Sequence, residues 1–129
     1  MNDVLTLSAY REALPRSCPP NEVVTPKATP LWRLLRSHSV SESDFDSQRK
    51  RLPNHPYPDE CEAMSVSLST SLAACRAIAK LPRSKFTHAV EVRFESSAGV
   101  WHQDSPGHVH FWPYHEHDLM TLVGAVNIL

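Results

Sequence analysis

The chain has 129 residues, of which 41% are hydrophobic and 21% charged, and its formal net charge is −1. This length and composition predict one domain around one core, and they exclude a fibrous or wholly disordered protein. The near-neutral charge gives no strong nucleic-acid signal. No membrane partner is expected, because the longest apolar run, 119–123, is too short to span a bilayer, and 1–12 lacks a secretory pattern. These features predict a cytoplasmic protein.

Glycine and cysteine usage narrows the classes further. The three glycines lie at positions 99, 107 and 124, so a Gly-rich phosphate loop or dinucleotide fingerprint is excluded. The three cysteines, Cys18, Cys61 and Cys75, are far apart and form no C-x-x-C motif, so we expect reduced thiols. Cys75 falls on the buried face of a predicted helix, where it is expected to pack rather than react.

The first half of the chain is predicted to be rich in loops. Eight of the eleven prolines lie in 15–58, which limits regular structure to short elements. A helix is predicted over 2–13, and a strand is predicted over 31–36. The segment 41–51 is predicted to be one helix, because it begins with capping-box spacing, has acidic residues in its first turn and ends in basic residues.

The segment MSVSLSTS at 64–71 fits two patterns. Helical spacing can be fitted through Cys61, Met64 and Leu68, but the strict alternation of apolar and hydroxyl side chains favours a strand. A run of serines also disfavours a helix interior, because the hydroxyls compete for main-chain groups. We therefore predict a strand, followed by a helix over 72–81 that is capped from 69–71 and ended by Pro82.

The second half is predicted to be mostly strands. Alternation predicts strands at 87–95, 100–103 and 108–112, arranged as a meander. Asp118 is a candidate cap for a helix over 119–126, although 124–129 fits a last strand instead. Together, the elements predict an α+β fold for 1–129: a single domain with a mostly antiparallel sheet and a few short helices.

A histidine cluster near the C-terminus is the first candidate site. Five of the eight histidines lie in 102–117. Two of them, spaced i and i+2 on a predicted strand, face the same side, and the next turn supplies more. Such a site would hold zinc or iron and activate water, with Glu116 or Asp104 as base. The candidate ligands are His108, His110, His115 and His117.

Three further features are Trp32-Arg33 on a predicted strand, the S-x-S-T-S pattern at 67–71 on a later strand, and the alanine-rich helix that follows. These segments are scattered over about two thirds of the chain. Together they resemble the ADP-ribosyltransferase superfamily, which includes small RES-domain toxins that degrade NAD. The segment 107–112 is also similar to a G-H-x-x-x-W segment of small bacterial proteins.

The resemblance implies a cleft between two small sheets that holds NAD as a substrate. In it, Arg33 would orient NAD through ribose or phosphate, and 69–71 (Ser69, Thr70 and Ser71) would shape the nicotinamide-ribose side. Trp112 or Tyr114 would stack on nicotinamide. The family's late glutamate, which stabilises the transition state, has its nearest counterpart in Glu116, although the usual E-x-E or Q-x-E motif is missing.

Three functional hypotheses follow. The first is an ADP-ribosyltransferase or NAD glycohydrolase acting as a toxin or effector. The second is a His-ligated metal-dependent hydrolase centred on 108–117. The third is a non-enzymatic interaction protein with a protein partner, in which the same residues cap helices, cover apolar surface or anchor an interface.

Overall fold

The computed structural model describes residues 9–22, 24–26 and 30–129. In this part of the chain, the strands are β1 (Leu31–Leu35), β2 (Val66–Ser69), β3 (His88–Val92), β4 (Gly99–Ser105), β5 (His108–Pro113) and β6 (Val123–Ile128). The α-helices are α1 (Gln48–Arg51), α2 (Glu60–Ala63) and α3 (Leu72–Ala79). Single 3-10 turns lie at Glu42–Phe45, Ser96–Ala98 and Leu119–Leu122.

The six described strands form one sheet in the order β4-β5-β2-β1-β3-β6, and each neighbouring pair is antiparallel. This confirms the α+β class. The predicted meander is wrong in one respect: β4 and β5 form a hairpin, but β3 pairs with β1 and β6. Alternation within a strand marks its buried face and does not identify its neighbour. Among the described residues, no helix is long and apolar enough to cross a membrane.

One face of the sheet carries the core. The register pairs Val66 with Phe111 and Leu68 with Val109, which places these apolar side chains on the same face. Trp101 of β4 stacks on Phe111 with ring centroids 3.7 Å apart. The full buried cluster is Leu31, Leu35, Phe45, Val66, Leu68, Val90, Val92, Ala98, Trp101, Val109, Phe111, Leu119 and Leu122.

The opposite face is polar where β2 and β5 meet. Ser67 pairs with His110 and Ser69 with His108, so hydroxyl and imidazole groups share this face. α3 contacts both β1 and β2. Its Cys75 is fully buried, and burial raises the pKa of the thiol. The strand predicted in 64–71 is confirmed over Val66–Ser69, and the helix after it is confirmed over Leu72–Ala79. The Ser71 hydroxyl caps α3.

Two predicted helices are corrected. The segment 41–51 is broken into the 3-10 turn and α1, because Ser47 is a second N-cap whose hydroxyl accepts from the Lys50 N–H at 3.1 Å. The capping box itself is present at Ser41 and Asp44. Of the predicted helix 2–13, residues 2–8 lie outside the described residues, and 9–13 are not helical.

The C-terminal segment follows the strand alternative. The Asp118 side chain accepts from the Met120 N–H at 3.0 Å and caps only the 3-10 turn. The chain then continues as β6, which pairs with β3 at the sheet edge. The expected helix over 119–126 is therefore wrong, because residues beyond Leu122 complete the ladder instead.

The cysteine prediction is also corrected. Cys18 and Cys61 form a disulfide with their Cα atoms 5.5 Å apart. The two cysteines are 43 residues apart, so no local sequence pattern indicated the pairing. The fold brings them together by placing the first loop against α2. Cys75 is free and buried, as the sequence predicts.

Candidate metal centre

The β4–β5 hairpin builds the site. His108 and His110 project from β5 to the same face, as their spacing predicts. On β4, the register shifts between Gln103 and Ser105, and Asp104 lies in this irregularity. A bulge of this kind redirects a side chain, and here the carboxylate of Asp104 reaches both histidines.

The three side chains converge closely. Asp104 Oδ1 lies 2.9 Å from His108 Nδ1, and Asp104 Oδ2 lies 2.9 Å from His110 Nε2. One ligand atom from each residue lies within 4.8 Å of the other two. The His110 side chain is 8% exposed, whereas those of Asp104 and His108 are each 33% exposed. The cluster is therefore anchored on one side and open to solvent on the other.

A hydrogen-bond chain behind His110 constrains its protonation. Ser65 Oγ lies 2.7 Å from His110 Nδ1 and also donates to the main-chain carbonyl of Glu62 at 2.8 Å. One tautomer of neutral His110 satisfies both contacts, because Nδ1–H donates to Ser65 while the hydroxyl hydrogen goes to Glu62. In this tautomer the Nε2 lone pair faces a carboxylate oxygen of Asp104 at 2.9 Å, and a metal ion bound by both atoms would satisfy it. In the other tautomer, Nε2–H donates to Asp104.

The electrostatics favour the ligating protonation states. Burial, followed by the nearby charge of His108, lowers the pKa of His110, although Asp104 and Glu62 act in the opposite direction. Partial burial raises the pKa of Asp104, but hydrogen bonding and the charges of the two histidines outweigh it and leave that pKa below its ordinary value. Ionised aspartate and neutral imidazole are the forms that bind metal.

A cavity of about 360 Å³ opens beside His110. Glu62, His102 and Trp112 line it, and Ser17 and Pro20 contribute the wall next to the disulfide. Glu62 Oε2 lies 3.8 Å from His110 Nε2, and its side chain is 55% exposed. This carboxylate therefore adjoins the cluster but lies farther from His110 than the Asp104 carboxylate does.

A second cavity of about 360 Å³ is lined by residues of β1, β2, α1 and α3 and by His108 of the cluster. Its lining includes Arg33, Ser69 and His108, together with Arg36 and Arg51. Two side chains predicted to hold NAD, Arg33 and Ser69, thus border the same space as a candidate metal ligand.

The Arg33 guanidinium donates hydrogen bonds to main-chain carbonyls within the fold. It donates from Nε to the Asp44 carbonyl at 2.7 Å, from Nη1 to the Ser67 carbonyl at 2.9 Å and from Nη2 to the Asp46 carbonyl at 3.4 Å. Burial lowers the pKa of Arg33 to about 10. The guanidinium therefore holds the 3-10 segment against β1 and β2.

The remaining residues of the NAD hypothesis are dispersed. Thr70 Oγ1 donates to the Pro106 carbonyl at 2.8 Å, and Ser71 Oγ accepts from a main-chain N–H of α3. Trp112 is 1% exposed and donates from Nε1 to the Cys61 carbonyl at 3.0 Å. Tyr114 forms a β-bridge with Tyr10. Glu116 is exposed in a turn.

The other two predicted metal ligands are not brought to the cluster. His115 is exposed, and His117 Nε2 lies 3.3 Å from Thr121 Oγ1. Sequence reasoning considered Asp104 only as a base and did not identify Glu62 or Ser65. The DSPG turn signal at 104–107 could have indicated that Asp104 folds back onto His108.

Comparisons with known proteins give no family assignment. No protein-family model matches the chain, and neither curated proteins nor solved structures give a significant match.

Proposed function

We propose that the protein is a metal-dependent hydrolase in which Asp104, His108 and His110 bind a divalent transition metal ion. The observation that carries the proposal is the convergence of two imidazole nitrogens on both oxygens of one carboxylate. Two nitrogen ligands and one oxygen ligand form the donor set of catalytic zinc sites and of two-histidine, one-carboxylate iron sites. The Ser65 hydroxyl supports it, because a second hydrogen bond commonly fixes the ring of a ligating histidine.

Three protein ligands leave a coordination position for water, whose pKa falls when it is bound to the ion. Glu62, beside the open side of the cluster, is the candidate general base that accepts the proton of this water. Glu62→Gln is expected to retain the metal and to lower kcat by about 100-fold or more.

The proposal is tested by elemental analysis and zinc titration calorimetry on protein purified without an affinity tag. About one equivalent of zinc, manganese or iron is expected. Asp104→Asn and His110→Gln should each weaken zinc binding by more than 10-fold. His115→Gln is the matched control, because it removes an exposed imidazole outside the cluster. Absence of binding in the wild type, or an equal loss in the control, contradicts the proposal.

A Ser-His-Asp nucleophilic site uses the same atoms, since Ser65, His110 and Asp104 are linked in series. Ser65 is only 3% exposed, and its hydrogen is directed to a main-chain carbonyl. These features favour a positioning role for the hydroxyl. Ser65→Ala should weaken zinc binding by about 10- to 100-fold.

NAD chemistry is the second candidate, favoured by the shared cavity of Arg33 and Ser69. The described strands form one sheet, which lends no support to a cleft between two small sheets. Release of nicotinamide from NAD by purified protein, followed by chromatography, tests this hypothesis. Ser69→Ala and Glu116→Gln should both lower the release, whereas unchanged release would exclude those roles.

The cellular location and the protein partner stay predictions. A cytoplasmic protein would keep its thiols reduced, whereas the disulfide between Cys18 and Cys61 is of a kind that persists in oxidising compartments. Thiol labelling of the protein in its native host would decide between these two environments.

A further inference from the structure

Two arginines border the second cavity without a carboxylate partner. Arg36 and Arg51 both line it, and neither forms an ion pair within 4.0 Å of a described carboxylate. Arg36 lies over the Phe86 ring, with its guanidinium carbon 5.8 Å from the centroid. Two positive charges thus border one space.

The nearest carboxylates are engaged elsewhere. Asp44 Oδ2 accepts from the Ser41 N–H at 2.8 Å in the capping box. Asp46 Oδ1 pairs with Arg11 at 3.0 Å and with Lys50 at 3.3 Å. Burial, followed by the charge of Arg36, lowers the pKa of Arg51, although both aspartates oppose this shift. The two aspartates therefore offset part of the positive charge, but neither forms an ion pair with Arg36 or Arg51.

The rest of the lining suits a polar ligand beside an apolar wall. Ser67 and Gln48 are exposed polar groups in the cavity, and Ile78 supplies apolar surface from α3. His108 also lines this space and is a ligand of the proposed metal centre. A ligand held by the arginines would therefore adjoin the metal ion.

We propose that this cavity is the subsite for a phosphate ester, with Arg36 and Arg51 binding phosphoryl oxygens and His108 marking the side where hydrolysis occurs. Guanidinium groups match phosphate oxygens in charge and geometry. This inference rests on the proposed function, because it assigns the substrate class of the same metal centre.

The reaction is balanced with water as the co-reactant. Water loses a proton to Glu62, and its oxygen forms a bond to phosphorus. The bond between phosphorus and the ester oxygen breaks, and the leaving oxygen takes the proton from Glu62. The products are an alcohol and a phosphate with one fewer ester bond, and no oxidant or reductant is required.

The first experiment measures inorganic phosphate binding to protein freed of metal with EDTA, so that it does not depend on the metal centre. Arg36→Gln/Arg51→Gln should raise the phosphate Kd by at least 10-fold. Arg76→Gln/Arg83→Gln is the matched control, since it removes the same charge from exposed positions and should change the Kd less than 2-fold. No phosphate binding at millimolar concentration, or an equal loss in both variants, overturns the subsite.

The second experiment compares hydrolysis of bis(4-nitrophenyl) phosphate and 4-nitrophenyl acetate by zinc- or manganese-loaded protein. Cleavage of the phosphate ester, lowered at least 10-fold by the Arg36/Arg51 variant with unchanged zinc affinity, supports the inference. Cleavage of the acetate alone overturns the substrate class while supporting the metal centre. A third outcome is phosphate binding that Arg36→Gln/Arg51→Gln weakens and the control variant keeps, with no metal binding by the wild type. This outcome supports the anion subsite and overturns the proposed function.

Discussion

Replacing Arg33 by methionine tests whether its guanidinium holds the 3-10 segment against the sheet. Methionine keeps an unbranched apolar stem in the position of the arginine stem and removes all donors. β1 and β2 share a single registered pair, Trp32 with Ser69. Next to it, the Arg33 side chain reaches the carbonyls of Ser67 on one side and Asp44 on the other. The substitution therefore removes a polar link between two strands and a turn.

The expected cost follows from these contacts. Two carbonyls lose donors at 2.7 and 2.9 Å, while the third contact, at 3.4 Å, is too long to count fully. An acceptor left without its donor costs about 1–3 kcal/mol, so two cost about 2–6 kcal/mol. Removing Arg33 recovers part of this, because burying its charge is itself unfavourable, as its pKa of about 10 indicates. The net loss is expected at the lower end, about 2–3 kcal/mol.

Urea unfolding and thermal melting measure this loss. A loss of this size lowers the Tm of a chain of this length by about 6–10 °C. Arg36→Met is the matched control, since Arg36 is exposed and lies over the Phe86 ring, so its change should stay within about 0.5 kcal/mol. If Arg33→Met is as stable as Arg36→Met, the guanidinium is not structural, and the assignment of Arg33 to the fold is refuted.

Further variants test the packing, a cap and the disulfide, each by urea unfolding. Gly99→Ala should cost about 1–3 kcal/mol, because its β carbon would clash with the main-chain carbonyl oxygen of Trp112 in β5. Gly107→Ala, with nothing within 4 Å, should be near neutral. Ser71→Ala should cost about 1 kcal/mol by uncapping α3. Replacing Cys18 and Cys61 by serine should cost about 4 kcal/mol for a loop of this length, and equal stability with and without reductant would contradict that bond.

The sequence predicted the local elements better than their neighbours. In 64–71, the alternation of Val66 and Leu68 with serines identified a strand, and the structure places both side chains in the core. Ser71 was correctly among the expected caps because an N-cap acts within one turn. The position of β3 beside β1 depends on contacts across the whole sheet, for which a single sequence carries no local pattern.

For the candidate site, too, the sequence predicted local features better than contacts between distant segments. The i, i+2 spacing predicted that His108 and His110 share a face, because that depends only on strand geometry. The contribution of Asp104 depends on the register shift in β4, and that of Glu62 depends on how α2 lies against β5. Neither the register shift nor the position of α2 can be predicted from composition or from the periodicity of apolar residues. The ligands expected from the next turn, His115 and His117, follow β5 in sequence but are carried past its end, away from the hairpin.

Arg33 and Arg36 are equivalent candidates for phosphate binding in the sequence, and their burial in the structure distinguishes them. Arg33 and Arg36 are three residues apart, and the sequence alone allows either arginine to be the one that binds phosphate. Arg33 lies within β1 on the core face, where its donors satisfy main-chain carbonyls. Arg36 lies just beyond the strand, is exposed and borders the cavity that also holds Arg51. An anionic substrate would displace only water from Arg36, whereas binding through Arg33 would require carbonyl hydrogen bonds to break. The cost of unpairing those carbonyls therefore favours Arg36 and Arg51 as the anion-binding pair.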